Sequence, residues 1–328
     1  MDIKDYKSVH EMLKEVVDNN PDAPAYRWFL DDQGNMEGIS WGDFYEQARQ
    51  LAKSLMALGI NKDDKVSIIS NPCYNWVLCD IGIIFAGACT VGIYQSNLAK
   101  DCQYIIDHSD SVIVFVEDDL QLQKVQEIRN AIPKVKKVVL YRGKAPDDDW
   151  VIEFDAFMKL GEAVSDEACE ERISSLEPGD TATIVYTSGT TGIPKGAVIT
   201  HDNVTFNAQA VKGSLYTKAG DDTIVFLPLA HIFARVTVYA AAITQATVNF
   251  ARSVDTVVED IGTIRPQWMP SVPRIYEKIY SKVVSGAQEK GGVILKLFNW
   301  ALRVGNEVSD YKLAKKPVPA WTDRKSTR

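Results

Sequence analysis

From residue 40 onward the chain alternates between two hydrophobic periods. Over SWGDFYEQARQLAKSLMALG, residues Phe44, Ala48, Leu51, Ala52 and Leu55 recur at the spacing of one helical face. Ser40 stands where an N-cap belongs, with Asp43 three residues on, and Gly59 stands where a left-handed residue ends a helix. The pattern then predicts strands at 66–70, 89–94, 111–117 and 135–141, separated by helices at 74–87, 100–109 and 120–131. The longest uncharged apolar stretch, Ile81 to Tyr94, reads as a buried helix running into a buried strand. It is too short for a membrane span, which needs about 20 residues.

Residues 142–180 turn polar and irregular, with Pro146 and Pro178 as breakers and Asp147, Asp148 and Asp149 in a row. This stretch reads as a connector carrying one short helix. The acidic triplet lacks the alternating spacing and glycine of a calcium loop and is given to solvent. Alternation resumes with strands expected at 183–186, 197–200, 223–227, 247–250 and 267–269. A helix then begins near Pro273, and its stripe of Ile275, Tyr276, Ile279, Tyr280, Val283 and Val284 is assigned to core packing. Strands alternating with helices predict an α/β fold whose mostly parallel sheets are covered on both faces. The expected organisation is an N-terminal α/β lobe at 1–145, a connector at 146–180, a second α/β lobe at 181–320 and a disordered or non-native tail at 321–328.

Composition narrows the function classes. The chain has 328 residues, 46% of them hydrophobic, and a net charge of −8, so it can bury a large core without disulfides or structural metal. Cys73, Cys79, Cys89, Cys102 and Cys169 are odd in number and show no C-x-x-C pairing, which fits reduced, buried thiols in a cytosolic protein. The N-terminal MDIKDYKSVHEMLKEVV has helical spacing but no signal-peptide core or cleavage site, so a cytoplasmic location is expected. An acidic chain without clustered Lys and Arg is a poor nucleic-acid binder. Any anionic ligand must then be held by a local site.

Such a site is offered by YTSGTTGIPKG at 186–196, set between the strand-like runs TATIV and AVIT. Gly189 and Gly192 let backbone N–H groups converge, Thr187, Ser188, Thr190 and Thr191 add hydroxyl donors, and Lys195 adds a mobile positive charge. The spacing is not that of a Walker A loop, and no helix starts at the lysine. A polyphosphate suits this donor set better than an ordinary Ser/Thr/Gly hairpin turn does. His231, in PLAHIF, follows a strand end and precedes an apolar helix. From the residues alone it reads equally as a core histidine or as a side chain facing a site. His10, His108 and His201 have no partner spacing that suggests a ligand set and are read as structural.

YTSGTTGIPKG resembles the phosphate-binding signature of the AMP-forming acyl-adenylate superfamily. FLPLAHIFARV at 226–236 and VPRIYEKIY at 272–280 are similar to further blocks of its long-chain fatty acyl-CoA synthetase branch. Upstream, LMALGINKDDKVSIISNPCYNWVLCDIGIIFAGACTVGIYQSN is similar to the N-terminal lobe of that family, with Asp63 where a glycine is usual. The resemblance covers about Asp22 to Lys315. It implies a layered α/β fold with two mostly parallel sheets flanked by helices. It also implies a ligase that joins a fatty acid to AMP from ATP and then to coenzyme A, with Mg2+ as cofactor. On that reading Thr187, Ser188, Gly189, Thr190, Thr191, Gly192 and Lys195 bind the triphosphate, with Thr190 at the metal and Lys195 catalytic. His231 takes a catalytic place at the acyl site, with Phe233 as a substrate neighbour. For Phe233, Arg235 and Arg274 the residues alone favour packing or ion pairs.

Three elements expected after these blocks are not found: a Y-G-x-T-E segment, a T-G-D aspartate and a mobile C-terminal domain with its own lysine. The expectation is therefore an N-terminal portion that is inactive alone. The alternatives are a truncated product or a split-enzyme subunit completed by a C-terminal polypeptide, with an adenylating enzyme for another carboxylic acid less favoured. A fatty-acid substrate leaves peripheral membrane contact open, although the sequence pattern offers no basic amphipathic helix for it.

Overall fold

The computed structural model describes residues 3–188, 192–214, 217–320 and 322. The chain divides into two compact units, Met1–Pro270 and Ser271–Arg328. In chain order the first unit contains α1 (Val9–Asn19), β1 (Pro24–Phe29), β2 (Met36–Ser40), α2 (Trp41–Ala57), β3 (Lys65–Ile69), α3 (Tyr74–Phe85), β4 (Cys89–Ile93), α4 (Ala99–His108), β5 (Ser111–Val116), α5 (Asp119–Glu127) and β6 (Lys137–Leu140). It continues with β7 (Val151–Glu153), α6 (Phe154–Leu160), α7 (Asp166–Ser174), β8 (Thr181–Ser188), β9 (Pro194–Thr200), α8 (His201–Ser214), β10 (Asp222–Val225), α9 (Ile232–Thr244), β11 (Thr247–Phe250) and α10 (Val257–Ile264).

Two sheets result. The larger has the order β7-β6-β5-β3-β4-β8-β9 and the smaller β10-β11-β1-β2. Every pairing is parallel except β8 with β9 and β1 with β2. Alternation within the large sheet assigns its two faces to different cores. Val66, Ile68, Ile113, Phe115 and Val139 join a core shared with α1, α2, α3, α8, α9 and the smaller sheet. Ile69, Val91, Ile93, Val114 and Val116 turn the other way, onto α4 and α5. This is the expected layered α/β architecture with two mostly parallel sheets.

The division into lobes at 145 and 181 is not what the chain builds. β8 pairs with β4 in the large sheet, and β1 pairs with β11 in the small one, so each sheet draws strands from both expected lobes. Residues 146–180 are more than a connector: β7 extends the large sheet beside β6, and α6 and α7 follow it. In the acidic triplet Asp148 is ion-paired with Arg129. The strand expected at 267–269 reduces to a single bridge between Trp268 and Thr223.

Local chemistry explains the helix predicted first. The Ser40 hydroxyl accepts from the Asp43 N–H at the start of α2, and Gly59 closes the helix at φ +77°. Its apolar face, Phe44 to Leu55, is buried. Against it lies Gly82 of α3, where an added Cβ would stand 2.5–3.0 Å from side-chain atoms of Leu51. Gly82→Ala should therefore overpack this contact and cost about 1–3 kcal/mol, read as a lower urea midpoint. An unchanged midpoint would show that α2 and α3 separate freely. Asp63, which replaces the usual glycine, adopts φ +68°, a left-handed conformation that aspartate tolerates better than most residues.

The second unit is a helical pair, α11 (Pro273–Lys290) and α12 (Gly292–Leu313), with Pro273 in the first turn of α11. Gly291 and Gly292, at φ +56° and +52°, make the reversal between them, a backbone state that side chains disfavour. The apolar stripe of α11 departs from expectation. Ile275 is buried, but Tyr276, Tyr280 and Val283 are exposed, so core packing does not account for them. No described helix is long and apolar enough to cross a membrane.

Candidate active site

The glycine- and threonine-rich segment joins β8 to β9 as the hairpin at the edge of the large sheet. Because β3, β4, β5 and β8 run parallel, the loop emerges at their carboxyl ends, the side of an open α/β sheet where ligands bind. Thr187 and Lys195 stand opposite each other in register, so their side chains share one face, and both are exposed. Gly192 takes φ +81°, and a Cβ there would meet nothing within 4 Å. Ser188 ends β8; its side chain, like Gly189, Thr190 and Thr191, lies outside the described residues, and the proposed metal contact at Thr190 falls with them.

Two side chains of α4 brace this hairpin. The Tyr186 hydroxyl is 2.8 Å from His108 Nδ1, and the Tyr104 hydroxyl donates to the Pro194 carbonyl at 3.1 Å. Burial pushes the Tyr186 phenol up to about 12, which keeps it protonated. Gly196 lets the strands close, since a Cβ there would lie 2.7 Å from Ile184 and 3.2 Å from Tyr186. His108 is thus a scaffold residue. His10 and His201 are also structural, and burial lowers both to about 4.

His231 caps α9, its Nδ1 accepting from the Phe233 N–H at 3.2 Å. Both His231 and Phe233 are exposed, so the core-histidine reading fails and a side chain available to a ligand remains. The segment before it presses on β4: a Cβ on Gly92 would stand 2.8 Å from Ala230 Cα. One turn into α9, Arg235 is buried against Asp80, Thr183 and the face of Trp76. Thr183 belongs to β8, the strand that leads into the loop, and its hydroxyl also donates to Thr90 of β4 at 2.7 Å. Arg235 therefore ties the helix that begins at His231 to the strand that carries Thr187. This buried ion pair agrees with the structural role expected of Arg235, although the link it makes between the two candidate segments was not legible in sequence.

A separate cavity of about 1100 Å³ opens at the carboxyl ends of strands from both sheets, lined among others by Trp28, Asn71, Tyr74, Glu117, Arg142 and Arg252. Thr187, Lys195, His231 and Phe233 do not line it. Burial raises the thiol pKa of all five cysteines, to about 11 at Cys102 and about 12 at Cys89, so none is primed as a nucleophile.

Residues 13–309 match the AMP-binding enzyme family. The chain belongs to that family. It is 34% identical over 283 residues to the human long-chain-fatty-acid–CoA ligase ACSBG2, covering 84% of this chain and 42% of that protein. It is 30% identical over 292 residues to the long-chain-fatty-acid–CoA ligase FadD15 of Mycobacterium bovis, covering 88% and 47%. The chain thus spans about half the length of the curated relatives it matches. Its fold resembles the inhibitor-bound N-terminal domain of FACL13 from Mycobacterium tuberculosis, with TM-score 0.68 and 23% identity, covering 82% of this chain and 64% of that one. It also resembles the A domain of carboxylic acid reductase from Segniliparus rugosus in complex with AMP and a carboxylic acid, with TM-score 0.75 and 17% identity, covering 87% and 51%.

Proposed function

We propose that this chain contributes the triphosphate-binding and acyl-facing elements of an AMP-forming ligase that activates a long-chain fatty acid with ATP and passes it to coenzyme A in the cytoplasm. The observation that carries the reading is the exposed pair Thr187 and Lys195 of the YTSGTTGIPKG segment, at the carboxyl end of β8, in a chain 30–34% identical to proteins named as such ligases.

A fatty-acid carboxylate is already ionised at neutral pH, so attack on the α-phosphorus needs no general base. The obstacle is bringing that anion to a tetra-anion, which donors and cations around the phosphates offset. Exposed Thr187 and Lys195, sharing one face, and the open backbone at Gly192 fit a triphosphate. Ser188, Gly189, Thr190 and Thr191 complete the donor set on the sequence reading, with Thr190 at Mg2+. The metal, when bound, would neutralise phosphate charge. His231, capping α9, orients the fatty-acid carboxylate, and Phe233 packs on the acyl chain beside it. Choice of the long-chain branch over other carboxylic acids rests on the FLPLAHIFARV and VPRIYEKIY blocks together with the named relatives.

Titration of the chain with Mg-ATP, followed by calorimetry, tests the reading. Lys195→Ala should weaken binding about tenfold by removing one charge-assisted contact to phosphate. Equal affinity of the two proteins, or no binding by either, would overturn the triphosphate assignment.

A further inference from the structure

The β8–β9 hairpin sets three cross-strand couples in succession: Tyr186 opposite Gly196, Thr187 opposite Lys195, and Ser188 opposite Pro194. Successive side chains of a strand alternate between the two faces of its sheet. The Tyr186 ring turns to the face covered by α4, where it joins the core that contains Cys102, Ile105 and Ile106. Thr187 and Lys195, the middle couple, therefore project from the opposite face.

Two side chains of α4 hold the couples on either side of that one. On the first, the His108 ring meets Tyr186 edge-on, with centroids 5.7 Å apart at 83° and Nδ1 2.8 Å from the hydroxyl. On the other, the Tyr104 hydroxyl donates to the Pro194 carbonyl at 3.1 Å. Tyr104 and His108 lie one helical turn apart and stack with centroids 5.2 Å apart at 28°, so the two contacts form one unit. Its base is fixed as well. The Ser109 hydroxyl is 2.8 Å from that of Ser111, which is 2.7 Å from that of Ser67. This buried run ties the end of α4 to β5 and β3. Gly192 and Gly196 give the hairpin more backbone freedom than other residues would, and freedom lost on binding costs affinity. A hairpin gripped on both sides of its donor couple has given up part of that freedom before a ligand arrives.

We propose that Tyr104 and His108 are positioning residues for the triphosphate site, acting from the back of the hairpin to fix the direction in which Thr187 and Lys195 meet phosphate. The proposal rests on the triphosphate reading and adds to it two residues on the far face of the strands from the phosphate. Small displacements of a binding group are costly, so the loss of either grip should be read directly in affinity.

Calorimetric titration of the full chain with Mg-ATP tests this in two backgrounds, with and without Lys195→Ala. Tyr104→Phe keeps the stacked ring and loses only the bond to Pro194, and it should weaken binding about fivefold, the worth of one hydrogen bond. His108→Ala should do the same. His108→Asn, whose side-chain amide can replace Nδ1 at the Tyr186 hydroxyl, should stay within about twofold of the parent. In a chain already carrying Lys195→Ala, Tyr104→Phe should change affinity by less than about twofold, because the charge it positions is gone. A purely structural defect would instead cost the same factor in both backgrounds. Circular dichroism with thermal melting checks that each variant folds. Absence of Mg-ATP binding by the parent would overturn the triphosphate reading and this proposal together. Binding by the parent with unchanged affinity in both Tyr104→Phe and His108→Ala, or an equal loss in the two backgrounds, would overturn this proposal alone.

Discussion

Asp80→Ala should destabilise the protein by about 3–5 kcal/mol, the loss expected when one partner of a buried ion pair is removed and the other charge is stranded. Asp80 and Arg235 are 4% and 1% exposed. The carboxylate also accepts from the Tyr239 hydroxyl at 2.6 Å, so the substitution takes the counter-charge from a buried guanidinium and the acceptor from a buried phenol together. The effect should read as a large drop in urea midpoint with little change in slope. Replacing both charges with apolar side chains of similar volume, Asp80→Leu with Arg235→Met, should recover most of the loss, since desolvating a buried pair consumes much of its attraction. A single Asp80→Ala variant as stable as the parent would mean that water reaches Arg235 and that the α9 anchor is not closed. Because Arg235 binds Thr183 on β8 from the first turns of α9, the damage should spread to both candidate segments. Amide exchange should accelerate in 183–187 as well as in 232–236.

The same cluster shows what the sequence conveyed. Periodicity identified β3, α3, β4, α4, β5 and β8 because each buries a regular apolar face or run, and buried parallel strands are nearly continuous in apolar residues. β1 and β2 gave no such signal: PAYRWF and MEGIS mix charge with apolar residues, and both strands are partly exposed. The pairing of β1 with β11, over 200 residues away in sequence, has no local signature. It is also what overturns the division into two lobes. The loop hairpin was legible because its residue types have a purpose other than packing. Its supports were not. Tyr104, His108 and Gly92 act through contacts with remote backbone or side chains, and nothing in their immediate sequence distinguishes them from ordinary helix and strand residues. The apolar stripe of α11 misleads for the converse reason: helical spacing reports a face, and only the fold tells whether that face is covered.

Acidification should weaken the protein well above the pH at which its carboxylates titrate. His10 and His201 are buried, and burial lowers both from 6.5 to about 4. His201 Nδ1 accepts from the Val9 N–H at 3.3 Å, and His10 Nε2 is 2.7 Å from the Tyr45 hydroxyl, so both rings hold α1 in place from adjacent positions. Above pH 6.5 the imidazoles are neutral in the folded and unfolded chain alike and contribute no pH dependence. As the pH falls below 6.5 the unfolded chain binds protons that the folded chain refuses, and stability declines until the folded rings titrate near pH 4. The interval corresponds to about 3 kcal/mol for each histidine. Urea unfolding at about pH 7 and about pH 4.5 measures this loss directly. His10→Gln and His201→Gln should each cost stability at neutral pH yet flatten the decline, because the variant has no imidazole to protonate in the unfolded state. Parallel declines in variant and parent would place the acid sensitivity in carboxylates instead. With the histidines responsible, α1 should be the first element to lose amide protection in mild acid, since charging His201 removes the acceptor of the Val9 N–H and charging His10 places a cation in a buried site.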